Sequence, residues 1–471
     1  MTDNHSILDD ERRTVDTVLE GGTIITPTGR IEGGIAIDGN KIVAVGDEEI
    51  LPPAMELYDV SGMYLMPGVV DPHVHTVDPF TIDTYETATK AAALGGTTTF
   101  INFAWEGFEG EDSYHSADTS LIEGIEYCKQ GQEEAVVDYS VHGTLAAGAP
   151  ETLRLLDEAV EMGVTSFKMF TAYEVGVSNG YIEAVLERLA DLNGVGLFHT
   201  EDGSVCDTRT ERLKTEGKGD SVWYPMSRPD YAEAMAAEDA VRLATETGAK
   251  YYGVHTSCRK AAEVLASFQD DGSQVRAETC THYTVFDDSV YTELGNLPMI
   301  APPLREPDDV DAVFEYIQNG TLTVVSTDHC AYTRESKQVE NWWDSSFGAN
   351  GLQTGLEVFY DVAVNERGLT PSKVVELRCT TPAKTFGMPQ KGTLTPGTDA
   401  DLVVFDPETT WRIDPSENAS NADFSIYEGC ELTGRVKKTF VRGELVADEG
   451  KIVAEPGYGE FIEREPPNWA G

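Results

Sequence analysis

The sequence predicts an α/β fold, a (β/α)8 TIM barrel carrying a small β-sandwich built from both chain ends. Three observations lead there. Both ends read as short alternating strands broken by glycine pairs. The middle repeats a strand-then-helix rhythm eight times. Histidines, one lysine and one aspartate fall where those strands end. The 471-residue length suggests roughly two to three units at ~150 residues each, although barrels often run longer as one domain. With 40% hydrophobic and 9% aromatic residues, the chain has ample material for a core, which excludes wholesale disorder.

Near the start, "TVLEGGTIITP" and "GGIAIDGNKIVAVGD" have the glycine pairs and Asp-Gly breaks of hairpins. Near the end, "DADLVVFDP", "KKTFVRGELV" and "GKIVAEPG" read the same way. Neither end holds enough strands for an independent sandwich. Residues 1–63 are therefore expected to pair with 390–471, leaving 64–389 as an inserted barrel. Within it, apolar runs at 68–75, 97–103, 136–142, 164–170, 195–199, 251–255, 275–280 and 322–328 predict eight strands. Helical patterns at 83–94, 151–162, 181–192, 231–247 and 308–318 lie between them. A doubly wound open sheet is the alternative, but neither a GxGxxG turn nor a P-loop supports it. No repeat of solenoid period is present.

Acidic residues outnumber basic ones 82 to 34, a formal charge of −48. Such a surface repels phosphate backbones and anionic bilayers, which excludes nucleic-acid and membrane-surface binding as functions. No apolar run approaches the ~20 residues of a membrane span, and residues 1–13 are polar and acidic, unlike a secretory signal. The acidity is spread along the chain rather than gathered in a tail, a pattern that resembles proteins of salt-accumulating halophiles. Seven cysteines, Cys128, Cys206, Cys258, Cys280, Cys330, Cys379 and Cys430, are scattered and never spaced as CxxC. That argues for reduced thiols in a cytoplasmic protein rather than a disulfide framework.

The first strand ends in "DPHVH" (His73, His75), the fourth contains "SFKMF" (Lys168), and the fifth ends in "FHTED" (His199). The sixth ends in "VHTSC" (His255) and the eighth in "STDHC" (Asp328). Barrels of this kind gather their catalytic residues at the C-terminal strand ends, so these side chains converge on one mouth. Each has an ordinary explanation when taken alone. His73 and His75, two apart on a strand, face the same way, but an HxH pair by itself is a weak signal. Lys168, flanked by Phe167, Met169 and Phe170, would usually be a snorkelling lysine, yet from mid-strand it reaches only into the barrel. His199 or His255 alone reads as a hydrogen-bonded core histidine, and Asp328 as a cap.

Jointly, six coincidences at six strand positions favour a two-metal site. His73, His75 and Asp328 would hold one ion, and His199 and His255 the other. Burial favours the neutral, nucleophilic amine of Lys168, which can add carbon dioxide and bridge the ions as N6-carboxylysine. Nitrogen and oxygen donors without thiolate suit zinc, with manganese or cobalt as substitutes. Two ions ~3.5–4 Å apart share a water and lower its pKa.

At these motifs the chain resembles the cyclic amidohydrolases of the amidohydrolase superfamily, dihydropyrimidinase and hydantoinase first, allantoinase and dihydroorotase next. "LMPGVVDPHVH", "GGTTTFINF", "SFKMFTAY", "FHTEDG", "MSRP", "ETCTHY", "APPLR", "STDHC" and "KGTLTPGTDADLVVFDP" follow in family order over nearly the whole chain. The resemblance implies that a bridging hydroxide attacks the carbonyl of a small cyclic amide or imide. Asp328 would take its proton and deliver it to the departing ring nitrogen. Tyr173, in "KMFTAY", matches the family tyrosine that hydrogen-bonds the oxyanion; its plainer role is packing at the rim. The product would be an N-carbamoyl amino acid, and the protein a homotetramer or dimer.

Some positions depart from that pattern. Ser346-Phe347-Gly348 stands where dihydropyrimidinases usually carry Pro-Asn-Gly, and "GANGLQTGLE" looks somewhat like allantoinase. Ala301 stands where Ser is common, at a substrate contact made by the backbone. Tyr173 and "HTEDG" favour the hydantoinase side. Dihydropyrimidines or hydantoins are therefore the expected substrates, with allantoin or another cyclic imide as runner-up. The collapsin-response mediator proteins share the fold without hydrolysis because they lack metal ligands. All six ligand positions are present here, which sets that scaffold reading aside.

The charge generates a first prediction. Raising potassium chloride from 0.1 M to 2 M screens the self-repulsion and is expected to lift the thermal midpoint by on the order of 10 °C. A flat or falling midpoint by scanning calorimetry would refute halophilic adaptation.

Overall fold

A computed structural model describes residues 14–108 and 118–469; the polar stretch 1–13 and the last two residues lie outside them. Eight parallel strands follow one another in sequence order: Val69–Asp71, Thr97–Trp105, Asp138–Thr144, Ser166–Phe170, Val195–His199, Lys250–Gly253, Val275–Cys280 and Val324–Ser326. The ring closes where Val74 bridges His329, and where the His75 N–H donates to His329 O at 2.7 Å. Apart from Arg276, every residue in these strands is buried. That is why they read as continuous apolar runs rather than as alternating ones.

The covering helices follow local rules. Asn179–Leu192 starts where the Ser178 hydroxyl accepts from the Tyr181 N–H, satisfying a donor that the first turn leaves orphaned. Tyr181, Ile182, Val185, Leu186 and Leu189 make one buried stripe. The helix stops at Asn193, which adopts a left-handed φ of 55°. Tyr85–Leu94 opens on a Thr84–Thr87 capping box, and Pro307–Asn319 on a proline whose missing N–H costs nothing there. The pattern at 151–162 resolves into a 3-10 turn, Thr152–Arg154, and a short helix, Leu156–Glu161.

The chain ends do pair. Leu402–Arg412 runs antiparallel to Tyr64–Pro67, with Leu402 opposite Pro67 and Phe405 opposite Tyr64. This joins strands from both termini into one nine-stranded mixed sheet, in which Tyr64–Pro67, expected to open the barrel, is a sheet strand instead. Leu19, Ile24, Ile35, Ile37, Leu65, Leu402, Val404 and Phe440 form its buried core, the interior of the expected sandwich. The stretch "GKIVAEPG" contributes only Lys451–Ile452 as strand, and Pro456 shortly afterwards lacks a donor to extend it.

The chain then leaves the sheet and crosses the N-terminal end of the barrel. The Ile462 N–H donates to Tyr139 O at 2.7 Å. The Arg464 guanidinium, 3% exposed, donates to Ser140 Oγ at 2.9 Å and Ser166 Oγ at 2.8 Å. Gly387 permits that crossing: its φ is 73°, and a Cβ there would lie 1.8 Å from Glu465 O.

Lys391 ties the sheet to the barrel. Its buried ammonium lies 2.5 Å from Asp138, 3.0 Å from Asp399 and 2.8 Å from Asp401, and Arg442 holds Asp138 from the other side. Removing one partner from a buried ionic cluster strands the rest. Lys391→Met is therefore expected to lower unfolding stability by about 3–5 kcal/mol, whereas Lys90→Met, which breaks a surface pair, costs about 0–1 kcal/mol. Denaturant titration checks both, and equal effects would refute the network.

Candidate active site

The structure brings five of the six expected ligands into one hydrogen-bonded or ring-packed group at the C-terminal strand ends, with Lys168 beneath them. The Nε2 atoms of His73 and His75 face a single Asp328 oxygen at 3.1 and 3.4 Å. The opposite nitrogen of each ring is held by a carboxylate: His73 Nδ1 lies 2.5 Å from Glu278 Oε1, and His75 Nδ1 bonds Asp78. Carboxylates in that position fix the ring orientation and raise the basicity of the free nitrogen, as behind metal-bound histidines.

His199 and His255 make a second pair, with Nδ1 of the first 2.8 Å from Nε2 of the second. Two tetrahedral nitrogen ligands of one zinc ion lie about 3.3 Å apart, so little movement separates this pair from a chelate. The backs of the two pairs meet, with the His73 and His255 rings stacked at 5.5 Å. His255 and Asp328 both sit in left-handed backbone, at φ 38° and 48°. Such positions cost about 1–3 kcal/mol each and cluster at functional sites.

Electrostatics sort the groups. Burial opposes ionisation of Asp328, but His73, the hydrogen bond from His75, and His255 outweigh it and hold the carboxyl far below the usual carboxylate range. Burial lowers His199 and drives His255 well below an ordinary imidazole, so both present neutral nitrogens. His75 goes the other way, to about 9: burial lowers it, but Asp78 and Asp328 prevail. Burial brings Lys168 down to about 8 despite Asp328 and Glu278. Its Nζ lies 5.3 Å from the Phe103 ring centroid and 5.0 Å from that of Phe170.

Tyr173 stands on the rim, 42% exposed and at φ 67°. Its hydroxyl donates to Glu201 at 3.4 Å, its ring lies 5.2 Å from that of His199, and the Arg228 guanidinium covers the ring at 4.5 Å. Among the described residues no hydrogen bond or ring contact joins Ala301 to the cluster. It lies between Ile300, whose carbonyl accepts from Tyr224 at 2.7 Å, and Pro302, whose carbonyl accepts from Tyr283 at 2.6 Å. This loop is tied to Ser346–Phe347–Gly348 through the Gly348 N–H, which donates to Met299 O at 2.8 Å. Phe347 itself packs 5.2 Å from the Tyr224 ring.

Several supporting residues escape a reading of the sequence. Asp78 and Glu278 back the histidines. Glu201 accepts from His199 Nε2 at 2.9 Å and from Arg228 at 2.6 Å, and Arg228 and His199 keep its carboxyl down at about 2 against burial. Lys337, fully buried, donates to Met299 O at 2.5 Å and Ser346 O at 3.0 Å, clamping the two loops together. The available signals were slight: Asp78 three residues after His75, Glu278 two before Cys280 on an inward-facing rung.

Residues 255–446 match the amidohydrolase family. The D-hydantoinase of Streptomyces coelicolor is 34% identical, over 95% of this chain and 98% of its own. That of Ralstonia pickettii is 32% identical, over 96% and 99%. The solved dihydropyrimidinase of Brevibacillus agri superposes with a TM-score of 0.90 at 30% identity, covering 96% of this chain and 99% of that one.

The Glu201 contacts generate a prediction. Glu201→Gln leaves the His199 ring without its ionic anchor and is expected to weaken metal binding by about 10–100-fold. Competition with a chelator measures it; unchanged affinity would show that Glu201 serves the fold alone.

Proposed function

The chain belongs to the hydantoinase–dihydropyrimidinase family of cyclic-amide hydrolases, and from that membership we propose that it opens dihydropyrimidine or hydantoin rings to N-carbamoyl amino acids at a pair of divalent ions. The observation that carries the metal centre is the convergence of His73 and His75 on Asp328 with a carboxylate behind each ring. The donors fit such a pair: His73, His75 and Asp328 for one ion, His199 and His255 for the other. Zinc suits this nitrogen and oxygen set, with manganese or cobalt able to replace it. Lys168, as a carbon-dioxide-derived carbamate, would bridge them. With its pKa near 8, roughly a tenth of the amine is neutral and able to add carbon dioxide at pH 7. When bound, the ions supply an ionised water and Lewis acidity at neutral pH.

The remaining steps belong to the side chains. Asp328 accepts a proton on a carboxylate oxygen. Its place at the mouth beside both histidine pairs suits delivery of that proton to the departing ring nitrogen. The Tyr173 hydroxyl, held only at 3.4 Å by Glu201, swings to donate to the oxyanion. The loops clamped by Lys337 offer backbone groups, Ala301 among them, to the polar edge of the ring. Phe347 puts an apolar side chain where the family often has Asn, which favours ring substituents that are themselves apolar. Allantoin is the second reading, supported by the "GANGLQTGLE" segment.

The described cysteines are all unpaired, which supports a reducing, cytoplasmic setting. Among the described residues, no helix is long and apolar enough to cross a membrane. Met226, Tyr231 and Met235 expose apolar surface on neighbouring helical turns, which supports assembly into a dimer or tetramer.

A hydrolysis panel in molar potassium chloride with added zinc or manganese tests the proposal, setting dihydrouracil, hydantoin, 5-substituted hydantoins and allantoin side by side. Ring opening of the first three groups is expected, abolished in Lys168→Ala together with stoichiometric metal. In Phe347→Asn the profile is expected to shift towards unsubstituted rings. Turnover of allantoin alone would promote the second reading; metal-loaded protein that opens none of these rings would refute the substrate class.

A further inference from the structure

The seventh barrel strand, Val275–Cys280, brings a second group of donors to the same mouth. Side chains alternate along a strand, and Glu278 points inward, where it meets His73 Nδ1 and the Tyr252 hydroxyl. Cys280 therefore points inward one rung nearer the mouth. The chain then turns through Thr281–Thr284 and returns His282 to the same place. One ligand atom from each of Cys280, His282 and Asp328 lies within 4.8 Å of the others.

Cys280 and His282 are 0% and 2% exposed. Among the described residues, His282 Nε2 is buried without a hydrogen-bond partner, an exception to the rule that buried polar groups are satisfied. The His282 ring packs edge-on against Tyr283 at 4.2 Å. Among the described residues the Cys280 sulfur has a single weak partner, Ser326 Oγ at 3.4 Å. The donor chemistry differs from that of the binuclear set, because it adds sulfur to one nitrogen and one oxygen. Such a set selects soft, thiophilic ions over magnesium, calcium or manganese.

We propose that Cys280, His282 and Asp328 form a third cation site, for a thiophilic divalent ion such as cadmium, whose occupation stops hydrolysis by engaging Asp328. The inhibitory part rests on the role given to Asp328 above; the site itself does not. On binding, the Cys280 S–H bond breaks, a sulfur–metal bond forms, and the proton leaves to solvent with no change of oxidation state. The ion coordinates His282 Nε2 and draws one carboxylate oxygen of Asp328 away from the substrate. The mouth that admits substrate also admits the ion, and the paired sites beside it, which lack sulfur, remain filled by zinc.

The test titrates cadmium chloride into protein carrying two equivalents of zinc, with Cys280→Ser and His282→Gln alongside. Bound cadmium, the ultraviolet absorbance of a cadmium–thiolate bond and hydrolysis are read together. In the wild type a third equivalent is expected to bind with thiolate absorbance, releasing one proton per ion, while hydrolysis falls by about tenfold or more. Cys280→Ser is expected to lose that absorbance and to keep hydrolysing in cadmium. His282→Gln is expected to bind about tenfold more weakly or worse. Equal thiolate absorbance in wild type and Cys280→Ser would overturn the site, as would undiminished affinity in His282→Gln. Cadmium that exchanges into the paired zinc positions would give no thiolate band and would likewise overturn it. Should none of the cyclic amides be hydrolysed, stoichiometry and absorbance still decide the site, separately from the substrate reading.

Discussion

The centre depends on the closure of the barrel between its first and last strands. Val74 bridges His329, and Asp71 accepts from the Thr327 N–H across 256 residues of sequence. Those contacts, with the His75 N–H to His329 O, put His73 and His75 against Asp328. A parallel barrel cannot close its ring until the last strand is in place, so the centre forms with the fold rather than before it. The carboxy-terminal crossing acts on the same ring from below. Arg464 ties Ser140 to Ser166, and Ser166 meets His142, whose other nitrogen lies 2.8 Å from Pro72 O, next to His73. Floor and mouth share one continuous polar column inside an apolar wall.

Burying so many polar groups has a cost, and the pairing pattern shows how it is offset. Each histidine of the first pair gives one nitrogen to a carboxylate and turns the other to the mouth. Glu278 serves His73, Tyr252 and the His255 N–H together, and Glu201 serves His199, Arg228 and Tyr173. The left-handed backbone at His255 and Asp328 adds strain that those contacts alone have no reason to maintain. Cation binding at the proposed centre would supply that reason, because it would act only on the assembled, folded donors and so stabilise the strained form. Strain, neutral imidazoles and backing carboxylates thus form one arrangement.

How far this was legible follows from which signals are local. Strand and helix order could be read because buried parallel strands carry unbroken apolar runs. Lys168 stood out because a lysine between Phe167 and Met169 violates such a run. His255 lies just past the observed strand end at Gly253, since its positive φ breaks the extended backbone. The backing carboxylates were not legible. In a chain with 82 acidic residues, Glu278, Glu201 and Asp78 look like solvated surface, and only the fold turns them inward. Ala301 was placed by motif position alone, and the structure holds it through its neighbours' carbonyls. The departure of the chain from the sheet after Ile452 was hidden because its apolar residues go on to pack against the barrel instead.

The loops clamped by Lys337 show how a local change is confined. Among the described residues Lys337 has no carboxylate partner; its contacts there are two carbonyls and the Tyr332 face at 5.7 Å. Burial pulls it down to about 7, so near neutrality it clamps both loops partly as an uncharged amine. A clamp made of backbone carbonyls is indifferent to the side chains on the loops that it holds. Ser346–Phe347–Gly348 can therefore differ from the family pattern while its backbone stays beside Met299. Phe347 is accommodated by Tyr224 and the surrounding apolar cluster. Backbone placement and side-chain identity are thereby separated, the first fixed by a buried lysine and the second free to vary.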